Sequence, residues 1–151
     1  GVTMKWIKPT TAVVQEVGTA MREADEVEVR LSHNLDPLTA ISKSVLKSDI
    51  CRAIEGDDGV PVGITGVTNQ SIWLLGTDGL TATKSHKKRL CVDGREWVDY
   101  CLKEVGKPIG NWVYHKNKLS IKWLKHLGFT VEGPQPYGHA GALFCQFWRA
   151  K

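Results

Sequence analysis

Two strand-like runs, Ile72 to Leu75 and Ile109 to Tyr114, stand on either side of one long segment with helical spacing, and this order constrains the fold most strongly. Strands joined through a helix lie parallel in one sheet, with the helix packed across a face and the crossover right-handed. Within the connecting segment Leu90, Trp97, Val98, Cys101, Leu102 and Val105 fall mostly on one helical face, and Gly106 and Pro108 stop the helix. Strand composition ends at Gly76-Thr77-Asp78-Gly79, so the helix is expected over Lys84 to Lys103.

The rest of the chain fits around this unit. Met4 to Ile7 reads as a short strand stopped by Pro9, and Thr10 or Thr11 then caps a helix carrying Val13, Val17, Ala20, Met21 and Ala24. Asp25 is expected to cap a second short turn through Val27 and Leu31. Asn34-Leu35-Asp36-Pro37 opens a further helix, from Pro37 to about Leu46. Ile50 to Glu55 and Pro61 to Val67 flank the turn-rich Gly56-Asp57-Asp58-Gly59, a hairpin signal. Ile121, Leu124 and Leu127 mark a last helix, closed by Gly128-Phe129. Strands are expected at Phe129 to Glu132 and Ala142 to Arg149, with a turn over Gly133 to Gly141 between them. The order β-α-α-β-β-β-α-β-α-β-β predicts a three-layer α/β fold with a central mixed sheet flanked by helices. A plain three-layer sandwich without a cofactor fits this order too.

The 151 residues, 42% hydrophobic and 24% charged, suit one core, so a single domain over 1–151 is expected. Neither an apolar run of spanning length nor a signal-peptide pattern occurs in the sequence, which predicts a cytosolic chain without a membrane role. Cys51, Cys91, Cys101 and Cys145 form no CxxC pair and read as small core residues, so no metal site is expected. Much of the net charge of +4 sits in Lys84, Lys87, Lys88 and Arg89. That cluster lacks interleaved aromatics, which argues against nucleic acid and for an anionic ligand at a helix start.

The stretch Asn117-Lys118-Leu119-Ser120-Ile121-Lys122-Trp123-Leu124-Lys125-His126-Leu127-Gly128-Phe129 resembles, at the same spacing, Asn-x-x-Ala-x-x-Leu-Tyr-x-x-x-Gly-Phe of the GNAT (N-acetyltransferase) superfamily. With Trp73-Leu74-Leu75-Gly76-Thr77-Asp78, Arg95-Glu96-Trp97-Val98 and Pro136-Tyr137-Gly138, the chain also resembles a bacteriophage GNAT-like group that includes an internal virion protein of short-tailed coliphages. The likeness runs from about Ile50 to Trp148, and the acyl-CoA-binding half would span about 72–151.

This resemblance implies acetyl-CoA in a cleft where Ile72 to Leu75 and Gly110 to Tyr114 splay apart, with pantetheine amides on open strand backbone. Its pyrophosphate would sit at the start of the following helix, among Lys84, Ser85, His86, Lys87 and Lys88, with Asn117 and Ser120 contacting its arm. The family's loop, Gln/Arg-x-x-Gly-x-Gly/Ala, falls on Ala82 to Lys87, so Ser85 and Lys87 stand where glycines are expected. Its Tyr acid falls on Leu124, which cannot donate a proton. Tyr114, His115, His126 and Cys145 are the alternatives, with Tyr114 as the candidate. Asp78 is the first candidate base and Glu55 the second, while Asn117 also suits a helix cap. The implied activity is a phage-encoded acetyl transfer from acetyl-CoA to an amine of unknown acceptor. The alternative is a non-enzymatic GNAT-fold protein acting as a virion-associated assembly or interaction module, with a phage or host protein as partner. The implied location is the cytoplasm of an infected bacterium, or the virion.

Overall fold

In the computed structural model, which describes residues 3–151, the strand-like runs pair into one seven-stranded sheet of order β1-β2-β3-β4-β5-β7-β6. The strands are β1 Lys5–Ile7, β2 Ile50–Glu55, β3 Pro61–Thr68, β4 Ser71–Gly76, β5 Ile109–Tyr114, β6 Thr130–Pro136 and β7 Leu143–Arg149. The helices are α1 Thr11–Thr19, α2 Glu23–His33, α3 Pro37–Lys47, α4 Lys84–Val105 and α5 Lys118–His126. Neighbouring strands are antiparallel except β4 and β5, which are parallel, as the strand-helix-strand order requires. This is the expected three-layer α/β fold with a mixed central sheet.

Apolar side chains on each helix decide which face of the sheet it covers. On one face α4 and α5 bury Trp97, Val98, Cys101 and Leu124 against Val67, Ile109, Val113 and Phe147. On the other, α1 and α3 bury Val17 and Ile41 against Ala53, Ile64 and Leu75. Each such side chain contributes about 1.5–3 kcal/mol through burial. Local signals set the helix ends. The Asp36 carboxylate accepts from the Thr39 N–H with Pro37 in the first turn, Thr83 caps α4, and Gly106 closes α4 in the left-handed region at φ 68°. All four cysteines are free thiols; Cys101 and Cys145 are buried, Cys51 and Cys91 half-buried.

Three elements depart from the sequence reading, α1, α2 and β6, where pairing at long range sets the boundaries. The first helix does not run to Ala24. It ends at Thr19, because Met21 pairs with Thr77 in an isolated antiparallel bridge and the Arg22 N–H donates to Gly76 O at 2.8 Å. The segment after it is not a short turn but the full helix α2. The strand expected to stop at Glu132 continues to Pro136, with a bulge between Val131 and Pro134. β6 is the sheet edge and faces solvent along most of its length, so Pro134 and Pro136 are tolerated and no apolar alternation marks it.

β4 and β5 share one register pair, Ser71 with Gly110, and then separate. At that junction a Cβ on Gly110 would lie 2.1 Å from Phe147 O, so only glycine fits. Gly110→Ala is expected to lower stability by about 2–3 kcal/mol, read as a fall in the urea midpoint. An unchanged midpoint would mean that the junction is more loosely packed than described.

Candidate active site

The alternation of hydrogen bonds along β4 determines what faces the gap. Thr77 N–H donates to Val62 O at 2.9 Å, so the residues in step with it bond to β3, while Ile72, Leu74 and Gly76 turn their backbone groups toward β5. Near the junction Asn111 fills in for the missing strand. Its Nδ2 donates to Ile72 O at 2.9 Å and its Oδ1 accepts from the Trp112 N–H at 2.9 Å. Leu74, in mid-strand, keeps its N–H and C=O toward the opening. A cavity of about 400 Å³ runs through this gap, lined by Gly94 and Trp97 of α4 on one side and by Glu28 and Ser44 on the other.

Helix α2 crosses the mouth of the gap and ties its two edges together. Asp25 Oδ2 accepts from the Gly76 N–H at 2.9 Å and from Arg22 Nε at 2.7 Å. One turn further on, Glu28 Oε1 accepts from the Tyr114 N–H and from Asn117 Nδ2, each at 3.1 Å. At the far end of α2 the β6–β7 loop docks: His139 and Ala140 N–H groups donate to Ser32 O and Leu31 O at 2.8 and 3.1 Å. Gly138, at φ +79°, lies so close that a Cβ would stand 2.6 Å from the Ser32 backbone. The same loop stacks Tyr137 on Trp112, with ring centroids 4.3 Å apart.

The two α2 carboxyls differ in what opposes their burial. Desolvation raises the Asp25 pKa, and Arg22 beside it works in the opposite direction. Desolvation pushes the Glu28 carboxyl up to about 7; the Asn117 hydrogen bond pulls it down, the nearby Asp25 charge adds to the rise, and the Tyr114 N–H lowers it. Both of those bonds use Oε1. None of the hydrogen bonds among the described residues engages Oε2, and Glu28 lines the cavity. A carboxyl that is half-ionised near neutral pH can both take and return a proton.

The residues singled out in the sequence are dispersed. Asp78 is exposed in a 3-10 turn, Asp78–Thr81, outside the cavity lining, and Glu55 also lies away from this cavity. Tyr114 offers its backbone N–H to Glu28 while its ring packs against His115 and Phe144. His126 meets Cys91 O at 3.3 Å, and Cys145 is in the core. Asn117 caps α5 by accepting from the Ser120 N–H at 3.3 Å, and Ser120 lines the cavity. Lys84, Lys87 and Lys88 are exposed at the start of α4, with Ser85 half-buried beside them. The Lys84 and Ser85 N–H groups have no partner among the described residues, whereas Thr83 Oγ1 takes the His86 N–H. The His86 ring is turned back: Nδ1 donates to Gly79 O at 2.7 Å and Nε2 accepts from the Asp57 N–H at 3.2 Å. Arg89 reaches the same turn through Asp57 at 2.5 Å.

Glu28 is the residue that sequence reasoning missed. Its one local signal is the spacing that puts it on the same helical face as Asp25. Among the described residues no group of three or more His, Cys, Asp or Glu side chains could hold a metal, and no helix is long and apolar enough to cross a membrane.

Because the Glu28 pKa is raised on folding, its contribution to stability is present below about pH 4.5 and is lost as pH rises through about 7. Glu28→Gln should therefore stabilise the protein at pH 8.5, by up to about 3 kcal/mol, and change it little near pH 4.5. Urea unfolding at the two pH values checks this; equal effects at both would show that Glu28 is not perturbed.

No family model and no curated protein matches the chain. Solved structures do. Spermidine N-acetyltransferase from Vibrio cholerae, in complex with CoA and spermine, superposes with a TM-score of 0.66 at 9% identity over 99% of this chain and 96% of that one. A GCN5-related N-acetyltransferase from Kribbella flavida gives 0.64 at 16% identity, covering 97% of each chain. A GNAT-family acetyltransferase from Bacillus cereus gives 0.64 at 13% identity over 99% and 98%. At such identities the likeness establishes the architecture, and the seven-stranded sheet with parting parallel strands is that of the GNAT acetyltransferases.

Proposed function

We propose that the chain transfers an acetyl group from acetyl-CoA to an amine, with Glu28 as the general base. The observation that carries this reading is a carboxyl with a pKa of about 7 and one uncommitted oxygen, held over the gap between β4 and β5. Acetyl-CoA, when bound, supplies an activated acyl thioester. The Leu74 N–H and C=O suit its amides, and the first turn of α4 offers the Lys84 and Ser85 N–H groups with the charges of Lys84, Lys87 and Lys88 around them. His86 serves the β2–β3 turn instead. On the acceptor side, Asn117 and the Tyr114 N–H hold Oε1 of Glu28, which leaves Oε2 to take a proton from an incoming ammonium group. Asp78 is not given that role, since it stands apart from the cavity. The phage origin belongs to the same proposal and rests on the sequence resemblance.

A second reading, a non-enzymatic module with the same fold, is favoured by Leu124. It is 7% exposed and packed in the core, at the position that the sequence resemblance matches to the family's Tyr acid, and no residue of this chain is assigned the acid's role. Ser85 and Lys87 at the glycine positions favour it too.

Acetyl-CoA at about 100 times its dissociation constant should stabilise the protein by about 2.7 kcal/mol, a rise in Tm of about 5–10 °C. Lys87→Glu should remove much of that shift and leave the ligand-free midpoint nearly unchanged. In steady-state assays kcat/KM should rise with pH through a midpoint of about 7, and Glu28→Gln should lower kcat by about 10²–10⁴-fold. Absence of both the shift and turnover would leave the module as the better reading.

A further inference from the structure

The acceptor side of the cavity carries opposite chemistry at its two ends. Glu28 stands at the level of Tyr114, the last residue of β5. Lys43 and Lys47 line the other end, one helical turn apart on α3. The end of α3 is fixed beside the start of β4, because Ser48 Oγ meets Thr68 Oγ1 at 3.2 Å and accepts from Trp73 Nε1 at 2.8 Å. At that level Ser71 pairs with Gly110. Four residues of β5, about 13 Å at the rise of a strand, therefore separate the two ends.

The positive end is uncompensated. Arg22, which also lines the cavity, is committed to Asp25 at 2.7 Å, but neither Lys43 nor Lys47 belongs to any ion pair among the described residues. Ser71 adds an exposed hydroxyl at the same end. With Glu28 half-protonated near neutral pH, the acceptor side as a whole is positive, which repels a polycation and attracts an anion.

We infer that the acceptor is an amine carrying an anionic group, whose anion lies against Lys43 and Lys47 while its amine faces Glu28. The inference rests on the acetyl-transfer reading above and narrows its substrate class. Lysines act as point charges rather than as a planar fork, so a carboxylate and a phosphate share the required chemistry. A flexible spacer of several carbons, together with the reach of the lysine stems, spans the distance between the ends.

The test compares ε-aminocaproate, aminopentyl phosphate, ε-aminocaproamide and spermidine as acceptors at pH 8 and low ionic strength, with acetyl-CoA binding followed separately by thermal shift. At least one of the two anionic amines is expected to exceed the amide in kcat/KM by about tenfold, the combined effect of two exposed ion pairs, and spermidine should be poorer still. The better of the two anionic amines identifies the group. In the double variant Lys43→Glu, Lys47→Glu the ratio of anionic amine to amide should fall to one or below while acetyl-CoA still raises Tm. A merely structural role for these lysines would lower all acceptors together and keep the ratio, which would overturn the inference. So would wild-type preference for the amide or spermidine, or acetyl-CoA binding without turnover of any of the four. Neither binding nor turnover would instead overturn the acetyl-transfer reading, and the inference with it.

Discussion

Helix α2 closes a gap that the sheet cannot close for itself. Two parallel strands that part after one register pair leave backbone groups without partners, and each buried orphan costs about 1–3 kcal/mol. Asp25 takes the Gly76 N–H at one edge of the opening and Glu28 takes the Tyr114 N–H at the other. Between them Leu74 stays open. The same contacts that hold the parted strands in place therefore decide which backbone groups remain for a ligand.

Using carboxylates for this purpose has an electrostatic consequence. Burying a carboxylate is costly unless a cation or sufficient hydrogen bonds compensate it. Asp25 has Arg22 in direct contact, whereas Glu28 has two neutral donors on one oxygen and the Asp25 charge nearby. Burial raises both carboxyls, but Asp25 is tied to Arg22 and the Gly76 N–H, whereas Glu28 keeps Oε2 free to exchange a proton. The positive cluster near α4 divides in a similar way: His86 and Arg89 turn inward to hold the β2–β3 turn at Asp57, while Lys84, Lys87 and Lys88 stay in solvent beside N–H groups that have no partner among the described residues.

What the sequence disclosed follows the range of the forces involved. β4, α4, β5 and α5 were legible because apolar spacing, Thr and Asn caps and a closing glycine act within a few residues of each other. The cap at Asn117 belongs to that class, and the parallel pairing of β4 with β5 follows from the strand-helix-strand order that those local signals mark out. The break before α2 does not, since it depends on Met21 meeting Thr77 and Arg22 meeting Gly76 far along the chain. Glu28 was hidden for the same reason: its partners Tyr114 and Asn117 lie 86 and 89 residues away. Asp78 drew notice by standing next to β4 in sequence, yet the chain turns there and leaves it exposed.

The central claim is that folding places one carboxyl of α2 at the gap in a half-ionised state, and it can be measured without any substrate. Carbon-detected NMR of the side-chain carboxyl of Glu28, assigned by comparison with Glu28→Gln, gives its titration directly. A midpoint of about 7 is the predicted result. A midpoint at the ordinary glutamate value of about 4.3 would contradict the account, because Glu28 would then be a solvated surface charge with no special capacity to accept a proton from an amine.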